Sequence, residues 1–135
     1  METAILSKRV WLYIINLIFH LGVGFAAASP VIVYLNIHVV FYLLIAIGIA
    51  VVFSFFFDIF LLSVTHGYTL GSAIIGVKYV SSDAKRISLP QIIIRSGSET
   101  IFIFVVIDFF YLVKNRTERG AIDRLSDSFA IDIRR

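Results

Sequence analysis

The hydrophobic pattern of the chain begins with two long apolar segments, at residues 10–28 and 39–64. Between Val10 and Val64 the only formally charged side chain is Asp58. At ~1.5 Å per helical residue the first segment extends about 28 Å, close to the ~30 Å hydrocarbon thickness of a bilayer. The second is long enough to cross with some tilt. Both segments are therefore predicted to be transmembrane helices.

A proline is expected to separate these two spans. The residue before Pro30 should avoid the helical region of backbone conformation. We therefore predict that the first helix ends there and that an uncharged link, residues 31–38, joins the spans. The small residues 26–28 after a basic start also resemble the cleavage site of a signal peptide. Asn16 and His20 interrupt the apolar region, however, so the segment is expected to remain in the chain.

Residues 65–89 form the first substantial polar stretch. Within it, residues 70–75 are predicted to form a short helix lying in the membrane interface. Residues 77–80 alternate like a β-strand. Ser88, followed three residues later by Gln91, is typical of a helix start. The stretch is therefore expected to connect the second span to a further helix.

The third hydrophobic segment, residues 91–113, permits two interpretations. Its uninterrupted apolar part, residues 100–113, would extend only ~21 Å as a helix, too short to cross a bilayer unaided. The whole segment, residues 91–113, is long enough but contains Arg95 and Glu99. Either a helix with a polar start crosses the membrane here, or a re-entrant element enters and returns. The tail, residues 114–135, is polar and basic, with a strand-like alternation near its end.

The basic residues favour the re-entrant interpretation. If the third segment crossed, the 12 Lys and Arg residues would be divided equally between the two sides. The positive-inside rule would then give no orientation. If it returns, all of them lie on one side, which we predict to be cytoplasmic, and only the uncharged link 29–38 lies outside.

Composition excludes an ordinary soluble domain. Apolar residues make up 59% of the 135 residues and charged residues 16%, with a mean hydropathy of +0.95, whereas soluble domains average about 25% charged residues. The net charge of +3 fits attraction to anionic lipid, and no basic stripe interleaved with aromatic residues suggests nucleic-acid binding. We predict one domain, residues 1–135. It should be an all-α membrane protein, a small transmembrane helical bundle with two clear spans, a third short or re-entrant helix and a minor cytoplasmic β-element.

Polar and small side chains form one stripe on each predicted span. On the first helix, Arg9, Asn16 and His20 fall within an arc of ~40°. The second carries small or polar residues at four-residue spacing, which lets helix backbones approach closely. We predict that the two stripes face each other, or face a copy in a homo-oligomer. The second stripe consists of Ala46, Ala50, Ser54 and Asp58.

Two carboxyl groups, those of Asp58 and Asp108, fall inside apolar segments. An ionised carboxylate in hydrocarbon is costly, so each should be protonated, paired or in contact with water. The expected partners are Arg9, Arg95 and His20. Two roles stay open: a pathway for protons or cations, or buried ion pairs that fix the helix register.

The third segment carries another expected pair. Arg95 and Glu99 are four residues apart and can pair on one helix face. Asp108 lies about half a turn round from Glu99 on a straight helix. A break at Gly97 would relieve this separation.

Enzyme chemistry has no support in the sequence. The glycines between residues 67 and 76 lack the spacing of a phosphate-binding or dinucleotide-binding loop. The three histidines are isolated and the chain has no cysteine, so no metal-ligand spacing occurs. We expect no enzymatic activity, no metal and no cofactor.

Taken together, four pieces of the chain resemble the RDD family of small membrane proteins, which is named for one Arg and two Asp residues. Carried over by position, the family Arg is Arg9 and the second family Asp is Asp123. The first family Asp falls on Asn16, whose amide cannot titrate near neutral pH. The pieces are residues 9–16, residues 69–80, Arg95, and the run Asp123-Arg124-Leu125-Ser126.

The resemblance implies transport, with cation/proton exchange as one form of it. With Asn16 in the family's Asp position, proton coupling would fall to Asp58 or Asp108. The resemblance also implies that the strand ending at Val80 lies near the strand of the tail. The polar pathway would then be formed by Arg9, Asn16, His20, Asp58, Arg95, Glu99, Asp108 and Asp123.

The leading hypothesis is a protein of a bacterial plasma membrane that moves a small solute or cation as a homo-oligomer. Three short segments are too few to enclose a pathway, so transport requires copies or partners. The alternative is a non-transporting interaction protein, such as an adaptor, an immunity factor or an accessory subunit with a membrane-protein partner. Lipid binding by the basic tail is a third hypothesis.

Overall fold

The computed structural model describes residues 6–35, 38–83, 85–115 and 119–133. Two long helices are followed by short helices and a two-stranded sheet. In chain order the elements are α1 (Leu6–Leu35), α2 (Val39–Thr65), α3 (Leu70–Ile75), β1 (Val77–Ser81), α4 (Leu89–Thr100), α5 (Phe102–Asn115), α6 (Ala121–Leu125) and β2 (Ser128–Asp132).

The first two helices are long and apolar enough to cross a membrane, over Leu6–Pro30 and Val39–Thr65. They pack along the stripes that the sequence predicts. Gly24 of α1 lies directly against the backbone of Ala46 and the side chain of Ala50. Every member of both stripes is buried, whereas the outer faces carry exposed apolar side chains such as Ile18 and Phe56. Two helices with small residues at their contact and an apolar exterior are what a bilayer requires.

The prediction that Pro30 ends the first helix is wrong. Helix α1 continues through Pro30 to Leu35, and residues 36–37 of the predicted link lie outside the described residues. A proline inside a spanning helix is tolerated where side-chain hydroxyls supply hydrogen bonds nearby. Here the hydroxyls of Ser29 (2.8 Å) and Tyr42 (3.2 Å) donate to the Phe25 carbonyl, one residue before the Ala26 carbonyl that Pro30 leaves without its helical donor.

The short elements form one module, which packs against the start of α1 and the end of α2. Strands β1 and β2 pair antiparallel, with Tyr79 opposite Ala130, as the resemblance implied. Helix α3, predicted at residues 70–75, is confirmed, and α4 starts after Ser88, whose N–H donates to Gln91 Oε1 at 2.9 Å. The apolar core of the module joins the spans to the sheet through Leu12, Leu62, Val77, Tyr79, Ile87, Ile92 and Ala130.

The third hydrophobic segment is two helices, with a bend of 96° between α4 and α5. The break lies at Ile101, which has extended backbone angles (φ −87°, ψ 104°), and not at Gly97, which lies inside α4. Strand β1 precedes this segment and β2 follows it, and the two strands are hydrogen-bonded to each other. A segment that crossed the bilayer would separate them. The pairing therefore brings the two ends of the segment together, as the re-entrant interpretation expects.

Candidate functional site

Two groups of buried side chains bring opposite charges, or a histidine and a carboxyl group, within 4 Å of each other. The first, called here the arginine cluster, contains Arg9, Arg95, Glu99 and Asp123 at the junction of the spans with the short elements. The second lies deeper, between α1 and α2, and contains His20 and Asp58. Glu99 belongs to the first group and also borders the cavity described below.

Arg95 is the centre of the arginine cluster and is fully buried. Its Nη1 donates to Asp123 Oδ1 and to Ser128 Oγ, each at 2.9 Å, and its Nε lies 2.8 Å from Glu99 Oε1. The guanidinium also lies over the ring of Tyr79, 3.7 Å from the centroid. The expected Arg95–Glu99 pair is thus present. A guanidinium with two carboxylates and an aromatic face is well compensated for its loss of water.

Asp123 joins the two arginines. One carboxylate oxygen binds Arg95; the other forms an ion pair with Arg9 and accepts the N–H of Gly120 at 3.1 Å. Burial would raise the pKa of this carboxyl group, but the charges of Arg95 and Arg9 outweigh burial and lower the pKa below its ordinary value. Asp123 is therefore ionised, and it links the start of α1 to α4 through the short helix α6.

Asp108 has a different partner from the one expected. It was predicted to pair with an arginine or with His20, but its Oδ1 accepts the N–H of Ile122 at 2.8 Å and its Oδ2 accepts the hydroxyl of Tyr13 at 3.0 Å. Its carboxyl group lies directly against Gly120, where a side chain would collide with it. The N–H groups at the start of a helix have no intrahelical partner, and Asp108 provides one for α6.

Both the oxygen and the nitrogen of the Asn16 side-chain amide form hydrogen bonds. Its Oδ1 accepts the N–H of Gly71 at 2.8 Å and its Nδ2 donates to Thr69 Oγ1 at 3.3 Å. Gly71 is required here because an added Cβ would lie 2.7 Å from both Asn16 Oδ1 and the Leu12 carbonyl. Asn16 therefore fixes the start of α3 against α1, as a hydrogen-bonding group that needs no titration.

His20 and Asp58 approach each other from α1 and α2, with 3.7 Å between His20 Nε2 and Asp58 Oδ1. Both residues are buried, with exposures of 7% and 3%. Neither of these two atoms has a hydrogen-bond partner. Phe53 and Phe57 pack around the imidazole ring. The expected meeting of His20 with Asp58 is thus present, while Arg9 extends instead towards Asp123.

A cavity of about 500 Å³ lies beside this pair, between α1, α2, α4 and α5. It is called here the Asp58 cavity. The remaining wall is mostly aliphatic, and the polar or ionisable side chains in the lining are those of Tyr13, Asn16, His20, Ser54, Asp58, Glu99 and Thr100. Ser54 is internally satisfied, because its hydroxyl donates to the Ala50 carbonyl at 2.6 Å. Within the described residues no group of three or more metal-binding side chains is arranged to hold a metal ion.

The sequence model of the RDD family matches residues 3–127, nearly the whole chain. The chain belongs to the RDD family. Neither the curated proteins nor the solved structures compared with it include a match. In this RDD protein, the two residues that the sequence assigns to the family's Arg and second Asp, Arg9 and Asp123, form an ion pair. The assignment of Asn16 to the first family Asp stays a prediction.

The sequence did not predict several residues of the arginine cluster and its surroundings. Tyr79 and Ser128 lie on strands, and their partners come from helices that are distant in the chain. Tyr13 and Gly120 acquire their roles only through Asp108. A sequence signal existed for α6 alone, since Gly120 and Asp123 stand at the spacing of a helix N-terminus.

Proposed function

We propose that this RDD protein moves a small solute or cation across the cell membrane, in exchange for protons, with Asp58 as the group that binds the cargo or the proton. The observation that carries this proposal is a buried, hydrogen-bond-deficient carboxyl group on the wall of a cavity between two membrane spans. By the helical rise, Asp58 lies about 10 Å from the end of α2. Ionisable groups at such depth are costly and mark ion or proton pathways.

The distribution of charge supports a cytoplasmic location for the module of short elements. The strand pairing brings the two ends of the third segment together, and the link between the spans carries no Lys or Arg residue. Positive residues near membrane helices are retained on the cytoplasmic side. On this orientation the arginine cluster closes the cytoplasmic end of the two spans, and the Asp58 cavity lies on its membrane side.

A homo-oligomer is part of the proposal. Two full spans and one returning segment are too few to enclose a pathway from one membrane surface to the other. A closed pathway needs more wall than one chain supplies. A second copy is the simplest source, because most oligomers are symmetric assemblies of identical chains.

The test is a flux assay on purified protein in liposomes that contain a pH-sensitive dye. After a proton gradient is imposed, addition of Na⁺, K⁺ or an organic cation should dissipate the gradient faster than in protein-free liposomes. The variant Asp58→Asn, which keeps the shape but not the charge, should reduce that rate to the protein-free value. Asp83→Asn makes the same chemical change at an exposed turn residue and should leave the rate unchanged.

Two results would count against the proposal. Wild-type liposomes that dissipate the gradient no faster than empty ones, with every cation tried, would remove transport and leave the accessory-protein hypothesis. Full activity of Asp58→Asn would retain transport and remove Asp58 from it.

A further inference from the structure

The size and walls of the Asp58 cavity indicate what kind of cation it accepts. A volume of about 500 Å³ falls within the range of roughly 300–1,000 Å³ that is typical of sites for organic molecules. Most of its wall is aliphatic, from residues such as Leu21, Val105 and Val106. A bare metal cation needs no such apolar wall.

The polar atoms available in the cavity are too few to replace the water shell of a small metal ion. Hard cations take about six or more oxygen ligands. Here the Asn16 amide is engaged by Gly71 and Thr69, and the Ser54 hydroxyl by its own helix. Three buried atoms of the wall residues have no hydrogen-bond partner: Asp58 Oδ1, His20 Nε2 and Glu99 Oε1. Glu99 Oε1 is neutralised by its ion pair with Arg95, which leaves Asp58 Oδ1 and His20 Nε2 for a ligand.

One carboxylate and one imidazole nitrogen are, in contrast, sufficient for an ammonium group. A primary ammonium has three N–H donors and a tertiary ammonium has one, far fewer contacts than a metal ion requires, and a carboxylate with a second acceptor nearby supplies most or all of them. The 3.7 Å between Asp58 Oδ1 and His20 Nε2 places both acceptors within reach of one such group. The hydrocarbon part of an amine would then contact the aliphatic wall.

The rim of the cavity gives an access route for such a molecule. Leu17, Ile47, Val51 and Phe109 line the cavity and are each between a third and a half exposed. These residues lie within α1, α2 and α5, at the level of the apolar spans. The opening therefore faces the hydrocarbon of the bilayer, into which amphipathic amines partition.

We propose that the Asp58 cavity binds a monovalent organic cation, a protonated amine with a hydrophobic body, which reaches it from the lipid. This inference deepens the proposed function and rests on its assignment of Asp58 as the cargo-binding group. The ammonium would bind Asp58 and His20, and the body would lie against the aliphatic wall towards Val105 and Phe109.

The experiment measures binding of a naphthylalkylamine to the full chain in detergent, with empty micelles subtracted. The control ligand is the naphthylalkyl alcohol of the same length, which has the same body and no charge. We expect the amine to bind roughly ten- to hundredfold more tightly than the alcohol, the range that a hydrogen bond to a charged group supplies. Asp58→Asn should remove this difference in affinity without weakening the binding of the alcohol. Asp83→Asn should preserve the difference. Excess Na⁺ or K⁺ at constant ionic strength should not displace the amine.

A second variant covers the case in which Asp58→Asn does not fold. Val51→Trp places a large side chain on the rim, away from Asp58, and should weaken binding of both ligands. Equal binding of amine and alcohol would overturn the proposal and identify a groove for lipid chains. Displacement by Na⁺ would overturn it in favour of a metal cation. Absence of amine binding would overturn it outright.

The liposome assay separates this inference from the proposed function. Flux driven by Na⁺ that depends on Asp58, without amine binding, would leave transport intact and remove the organic cargo. Amine binding that depends on Asp58, without flux of any cation, would leave the binding site intact and remove transport.

Discussion

Replacing Asp123 by Asn is expected to lower the free energy of unfolding by about 3–5 kcal/mol, the cost of removing one partner from a buried ion pair. The substitution keeps the shape of the side chain and removes its charge. Arg9 and Arg95, with exposures of 3% and 0%, would lose the carboxylate that both contact. Unfolding by SDS titrated into mild-detergent micelles measures the effect.

The matched control for this variant is Asp127→Asn, four residues further along the chain. Asp127 is exposed and has a positive φ of 48°, a conformation that Asn accepts readily. The free energy of unfolding of the Asp127→Asn protein should stay within about 0.5 kcal/mol of the wild-type value. Combining Asp123→Asn with Arg9→Gln should cost less than the sum of the two single changes, because they break the same contact. Equal stability of the Asp123 and Asp127 variants would show that the arginine cluster contributes nothing to the fold.

Acid should remove the stabilisation that the ionised Asp123 carboxylate gives to the wild-type protein. Because the pKa of Asp123 is lower in the folded protein than its ordinary value, its contribution is fully present above the unfolded-state pKa of about 3.9. It is lost as the pH falls through the lower, folded-state pKa. Asp123→Asn should lack this part of the acid dependence, and Asp127→Asn should retain it.

Gly120→Ala should destabilise the protein by about 1–3 kcal/mol, the usual cost of a methyl group placed in a packed site. Gly120 has ordinary backbone angles (φ −76°, ψ 177°), so the penalty does not come from backbone strain. The new Cβ would collide with the carboxyl group of Asp108, which is fully buried. Asp108 could move aside only by releasing the Ile122 N–H and the Tyr13 hydroxyl. The same SDS unfolding assay measures the loss.

Two controls tie that effect to Asp108. Gly48→Ala places its methyl group in open space and should be neutral or slightly stabilising, because alanine favours a helix. In the background of Asp108→Ala the Gly120 substitution should cost almost nothing further, since its steric partner is gone. A full penalty in that background would mean that Gly120 acts through some other neighbour.

The spans and their packing could be predicted from sequence because the relevant signals are periodic and local. Four-residue spacing from Ala46 to Asp58 defines a helix face, and in the described part of the chain α1 is the only other unbroken helix long enough to cover it. The contact of His20 with Asp58 follows from pairing the two stripes. The Arg95–Glu99 pair follows equally from their spacing along one helix.

The predictions for Pro30 and Asp108 are wrong for two reasons. A bonding partner can come from a distant part of the chain, and the bilayer can override a local rule about helix ends. Pro30 does not end α1. Backbone N–H and C=O groups inside a bilayer need hydrogen-bond partners, and a continued helix supplies most of them. Asp108 is hydrogen-bonded to the start of a short helix rather than to an arginine, because the Ile122 N–H, 14 residues later, has no partner within its own helix. Nothing in the spacing along α5 could have revealed that partner.

Arg9, Arg95 and Asp123 can meet only if the third segment returns to the side of the membrane that it left. The chain has no cysteine, so single cysteines can be introduced at exposed positions and labelled with a membrane-impermeant maleimide in intact cells and in inverted vesicles. The variants are Asp83→Cys before the segment, Leu125→Cys after it, and Tyr34→Cys at the far end of α1. We predict labelling of the first two from the cytoplasmic side and of the third from outside. Labelling of Asp83→Cys and Leu125→Cys from opposite sides would contradict the account.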